Sequence, residues 1–154
     1  MSNPTIGYEE DTTLSRNEVA RQQLVLAIEL FIAEKFLAAL TLAGASEEIL
    51  GKLLVRQAAT PVVKESAKAI AHLREKTGVS IMGGKSEKGL IDDWNIARNA
   101  AKHLVNPEEE SITLNLCDEA YWMIRRALDN AEKLLLKIEN RDHFENWFII
   151  NIAT

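Results

Sequence analysis

Apolar positions in this chain recur at spacings of three and four along most of its length, the period of a helix rather than the alternation of a strand. Residues 1 to 14 are polar and acidic, with Glu9, Glu10 and Asp11, and are expected to form a loose tail. Ser15-Arg16-Asn17-Glu18 reads as a capping box that opens a first helix, expected through Lys35 or beyond and apolar on most sides between Leu24 and Ile32. Leu37 to Gln57 reads as a second helix with a break around Gly44-Ala45-Ser46, where Ser46 caps a fresh turn holding Glu47 and Glu48. Pro61 suits the first turn of a third helix ending near Lys76, with Gly78 as its stop.

Val79 to Lys88 has adjacent glycines, charges and no sustained period, and reads as a loop. Leu90 to Val105 forms a fourth helix, ended by Asn106-Pro107 because proline pushes the residue before it away from helical angles. Glu108 to Glu110 and Ser111 make an exposed connection, and Ile112-Thr113-Leu114 a short extended piece. A fifth helix from about Asn115 to Ile138 carries a strict seven-residue seam: Cys117, Tyr121, Ile124, Leu128, Ala131, Leu135 and Ile138. Phe144, Trp147, Phe148 and Ile150 mark a short amphipathic helix that docks on the bundle. The expectation is an all-α fold: one domain over residues 15–154, a bundle of five to six helices behind the tail of residues 1–14.

Composition narrows the partners. With 154 residues and 47% hydrophobic content, one well-filled core is expected. A net charge of -5 argues against a broad nucleic-acid-binding surface, so any RNA contact must be local. Residues 85 to 102 hold Lys85, Lys88, Arg98 and Lys102 against Glu87, Asp92 and Asp93, a net of only +1. The lone Cys117 excludes an intramolecular disulfide, fits a reducing compartment, and on the seam reads as an inert buried thiol. The first residues carry no basic and apolar leader, and the apolar stretch from Leu24 to Ala33 is too short to span a membrane. A cytoplasmic protein without membrane contact is expected.

The candidate chemistry lies near the end of the fourth helix, in Arg98-Asn99-Ala100-Ala101-Lys102-His103. Cleaving a phosphodiester without metal needs a cation for the charge that builds on the phosphorus oxygens and a group that passes a proton near neutral pH. Arg98 and His103 are of those types. With eight Arg, three His and ten Asn in the chain, chance supplies about 0.5 Arg–His pairs over three spacings but only about 0.03 with Asn directly after the arginine. The alternative open to the same residues is a surface arginine and a helix-end histidine facing the helix dipole.

This hexapeptide resembles the signature of the HEPN family (higher eukaryotes and prokaryotes nucleotide-binding), in which Arg, four to six residues and His share one helix, often with Asn, Asp or His after the Arg. The resemblance covers roughly residues 90 to 105, together with size and helical content. It implies a HEPN-like all-α domain acting as a homodimer, in which two motif copies form a metal-independent endoribonuclease, or a derivative that binds RNA or a nucleotide. His103 then passes the proton, Arg98 stabilises the phosphorane and Asn99 holds the site in shape. Lys102 contacts substrate phosphate. No cofactor or metal is implied. The resemblance also implies a toxin-antitoxin setting with an antitoxin-type protein partner. The chain departs from many family toxins at Val105, where they often carry Tyr.

On an ideal helix five residues turn by about 140° and rise about 7.5 Å, so Arg98 and His103 do not share a face. With Leu90, Trp94, Ala97, Ala101 and Leu104 inward, Asn99 lies nearer His103 and is expected to orient its imidazole. Ile96 and Ala100 form an apolar strip suited to a second subunit. Other motifs fail: Gly84-Lys85-Ser86 lacks the first glycine of a phosphate-binding loop, and no Glu-x-x-His or clustered Cys and His points to metal. His72 and His143 read as surface or capping residues, and Trp94, Trp122 and Trp147 as core. The same greasy first helix and heptad seam also fit a non-catalytic oligomerisation or partner-binding module, in which charge at Leu26 or Ile28 breaks the assembly.

Overall fold

A computed structural model describes residues 4, 6–103 and 110–153. Among them are seven α-helices and no strand: α1 Arg16–Ile32, α2 Phe36–Arg56, α3 Val62–Thr77, α4 Glu87–Trp94, α5 Ile96–Lys102, α6 Leu116–Lys133 and α7 Arg141–Asn151, with a 3-10 turn at Ile81–Gly84. Helix α2 is central, lying along α1 on one side and α6 on the other; α3 packs on α4, α5 on α2, and α7 on α1. Alanines at these contacts allow close approach. Ala20 and Ala27 of α1, Ala39 and Ala43 of α2, and Ala120 and Ala127 of α6 are all fully buried, and larger side chains such as Leu24, Leu40, Leu50 and Leu128 fill the gaps between them. Phe31 anchors the far end, with ring centroids 5.2 Å from Phe36, 5.5 Å from Phe144 and 4.6 Å from Trp147.

The helix starts follow their caps. Ser15 Oγ accepts from the Glu18 N–H at 3.1 Å, Ser86 Oγ from Gly89 and Asn115 Oδ1 from Asp118. Helix α3 follows Pro61 and has no side-chain cap of its own. The buried Asn130 of α6 supplies one from across the fold, its Oδ1 accepting the Val62 N–H at 2.9 Å. Gly78 closes α3 in the left-handed conformation, φ 67°.

Several expectations need correction. Helix α1 ends at Ile32, short of Lys35, and α6 at Lys133, short of Ile138. Leu135 leaves the seam and is 94% exposed, while Ile138 is buried from the connection that follows. There is no break at Gly44-Ala45-Ser46; Ser46 lies inside α2 and donates its hydroxyl proton to the Ala20 carbonyl at 2.8 Å. The single fourth helix is two, divided at Asn95, and α4 starts inside the expected loop. Residues 110–115 belong to no helix or strand. Ile28 is fully buried in the core, so charge there attacks the fold itself, whereas Leu26 is exposed. Leu104, Val105 and the expected stop at Asn106-Pro107, with Glu108 and Glu109, lie outside the described residues.

Candidate functional site

In α5, Ala97 enters the core and Arg98 lies across α2. Helix α2 makes room for it at Gly44. A Cβ there would stand 2.5 Å from Arg98 Cγ and 2.8 Å from Cδ, closer than side chains pack. The glycine that suggested a helix break is therefore a slot for an arginine stem. One turn along α2, Glu47 is 3% exposed. Its Oε2 lies 3.2 Å from Arg98 Nη1 and its Oε1 2.8 Å from Arg126 Nη2 of α6. Arg126 also donates to Asn95 Oδ1 at 3.0 Å and to the Trp94 carbonyl at 3.2 Å, bracing the break between α4 and α5.

Two permanently charged guanidiniums thus share one buried carboxylate. Glu47 pairs each side chain, so neither is an isolated buried charge. The triad nevertheless keeps one net positive charge in a place where water screens weakly. It faces a cleft of about 410 Å³ between α2, α3 and α5, whose walls also carry Lys52, Arg56 and Lys64. These five cations face only Glu47 and Glu48, a net of +3 in a chain whose total is -5. Glu48 registers the surroundings: its hydrogen bond from Lys52 holds its carboxyl below the usual carboxylate range, with Lys102 and Arg98 adding to the effect. An anion fits this cleft by charge.

The residues singled out in the sequence meet different fates. Arg98 stands at the cleft and Asn99 accompanies it, Asn99 Oδ1 accepting a long 3.4 Å hydrogen bond from Arg98 Nε. Asn99 therefore faces the arginine, not the imidazole it was expected to orient; its backbone carbonyl accepts the His103 N–H at 2.9 Å. Lys102 Nζ lies 3.6 Å from Glu48 Oε2, on the α2 side of α5. His103 caps α5 in an extended conformation, φ -135° and ψ 144°, and is exposed. No hydrogen bond or ion pair joins it to Arg98 within the chain, and it does not line the cleft. The expected strip beside it is present, with Ile96 exposed and Ala100 half-buried.

Glu47, Arg126, Lys52, Arg56 and Lys64 were not legible as site residues. They come from three helices, and only folding gathers them. The one local signal was the Gly44-to-Glu48 stretch, a glycine and paired acids inside an apolar run.

Trp122 is a second correction: it is 62% exposed and outside the core. With the half-buried Trp94 it lines a separate cavity of about 470 Å³. Trp147 is half-buried against Phe31. Cys117 is half-buried and burial pushes its thiol pKa up, as for an unreactive thiol. His72 and His143 are exposed. Among the described residues no group of three His, Cys, Asp or Glu is arranged to hold a metal ion, and no helix is long and apolar enough to cross a membrane.

No protein-family model matches this chain, and neither a curated protein nor a solved structure matches it significantly.

Proposed function

We propose that this protein is a HEPN-like domain that seats an RNA or nucleotide phosphate on Arg98 and, as a homodimer, cleaves RNA without a metal ion. The observation that carries this reading is the Arg98–Glu47–Arg126 triad, with its surplus positive charge, at the wall of a cationic cleft. Arg98 binds a nonbridging phosphate oxygen and stabilises the extra negative charge of the phosphorane. Lys52 and Lys102 exchange their bonds to Glu48 for contacts to neighbouring phosphates.

His103 of the same chain makes no bond to Arg98, so the proton step draws on His103 of the partner subunit, brought up across Ile96 and Ala100. In that step the ribose 2′-oxygen attacks phosphorus and its proton passes to a base. The bond to the 5′-oxygen breaks with protonation of that oxygen, and a 2′,3′-cyclic phosphate is left. The exposed Leu26, Ile32 and Leu37 favour a second reading, in which this region serves only to assemble helical partners.

The two readings separate on His103→Ala, a change at an exposed cap that leaves the folded subunit intact. Its expected result is loss of RNA cleavage in EDTA by about a hundredfold or more, as for removal of a proton-transfer group, with RNA binding retained. Cleavage that persists at the parental rate dismisses the imidazole, and a strictly monomeric protein in sedimentation that still cleaves dismisses the shared site.

A further inference from the structure

We infer that the cavity beside Trp122 is a nucleobase compartment, and that with the cationic cleft it forms one guanine-selective nucleotide site. The inference rests on the phosphate-binding reading above and adds to it the identity of the base. The two cavities share two walls, Val63 and Arg126, and differ in character. One side is cationic. The other, about 470 Å³, is lined by Trp94, Trp122, Met82 and Met123, and its charged residues Asp93, Glu119 and Arg126 sum to -1. A phosphate is repelled from the second compartment and attracted to the first, while a flat aromatic ring is served in the opposite order. Arg126 lines both. The volume lies within the roughly 300–1,000 Å³ of small-molecule sites.

Three details point to a base rather than to leftover surface. Trp122 is 62% exposed on the face of α6 turned away from the core-filling Ile124, and its indole meets the Tyr121 ring edge-on at 5.2 Å. That contact fixes the plane on which a base stacks. Met82, which also lines this cavity, is held at φ 50°, a conformation costly for a side-chain-bearing residue. Arg74 secures that turn by donating to the Ile81 carbonyl at 2.7 Å and to the Lys85 carbonyl. Finally, the two carboxylates are not equivalent. Asp93 is paired with Lys85, whereas Glu119 has no ion-pair partner among the described residues. A free carboxylate accepts two parallel hydrogen bonds from a ring N–H and an adjacent amino group. Among the four RNA bases guanine alone presents that pair on its Watson–Crick edge.

The test measures binding of 5′-GMP, 5′-AMP and inorganic phosphate by calorimetry and tryptophan fluorescence, together with single-stranded oligoribonucleotides with and without guanine. Wild type is expected to prefer GMP over AMP by about tenfold, with quenching of its emission. Trp122→Leu is expected to weaken GMP about tenfold while phosphate affinity stays, and Glu119→Gln to level GMP with AMP; circular dichroism checks that both variants fold. If guanine-containing RNA binds with the same variant pattern but GMP does not, the inference stands with RNA as the source of the base. If GMP and AMP bind equally to wild type, or Trp122→Leu changes nothing while phosphate still binds, the base compartment is overturned and the phosphate reading survives. If neither phosphate, nucleotide nor RNA binds, both fall.

Discussion

Glu47 is buried to 3% exposure between guanidiniums that are themselves only 14% and 13% exposed. Removing its charge strands both. Glu47→Gln is therefore expected to lower folding stability by about 3 kcal/mol or more in urea denaturation, the cost of an unpaired buried charge. Inorganic phosphate should recover part of that loss and stabilise the variant more than the parent, because an anion bound in the cleft replaces the missing carboxylate. Unchanged stability, or indifference to phosphate, removes the triad from the argument. The sequence around position 47 places paired acids in an apolar run but does not say which of the two is buried. Glu47 and Glu48 are adjacent and alike, and one faces two arginines while the other meets lysines. Their difference is about 100° of helical rotation, which acquires meaning only once α5 and α6 are in place.

Three helices stop in the same way. Glu34 after α1, Ala58 after α2 and Leu135 after α6 all take positive φ, 60°, 56° and 56°. In each case the following N–H reaches back five residues: Lys35 to Leu30, Ala59 to Leu54, Leu136 to Ala131. This is the Schellman closure, whose usual sequence mark is glycine. Where glycine is present, at Gly78, the stop of α3 was readable. Without it the heptad seam of α6 invited continuation through Leu135 to Ile138, and α1 through Lys35. Leu135 is 94% exposed and so has little packing to lose. Leu135→Gly is expected to raise stability by about 1 kcal/mol by relieving the left-handed penalty, read as a higher melting temperature. A lower one would mean that the side chain or the unfolded-state entropy of the added glycine outweighs the relief.

At the scale of the whole molecule, α7 is fastened to the bundle by aromatic packing and by ion pairs to α6, Arg125 with Glu145 and Arg141 with Glu132. Arg125 Nη1 and Nη2 of α6 each lie 2.7 Å from a Glu145 oxygen, and its guanidinium sits 5.3 Å from the Phe144 ring centre. The hydrogen bonds from Arg125 lower the Glu145 pKa below its ordinary value. A carboxylate with a depressed folded pKa stabilises fully above its unfolded pKa, about 4.3, and that contribution is lost as pH falls through the folded value. Melting temperature should consequently drop more steeply below about pH 4 in the parent than in Glu145→Gln, whose stability at neutral pH is lower from the start. Parallel profiles would show that the Arg125–Glu145 pair contributes nothing to holding α7.

Apolar periodicity alone determined the helical class, the order of the main helices and most of the core. Burial of apolar surface depends on spacing that any stretch of chain carries within itself. Capped starts at Ser15, and the stop at Gly78, were equally local. What only the tertiary structure decided is electrostatic and geometric: that Gly44 is a slot rather than a hinge, that Asn95 divides a helix, that Trp122 lines a cavity, and that five cations from four helices meet. Charges interact through space, so their sum in one cleft is fixed by which helix faces which, and no reading of neighbours along the chain contains it.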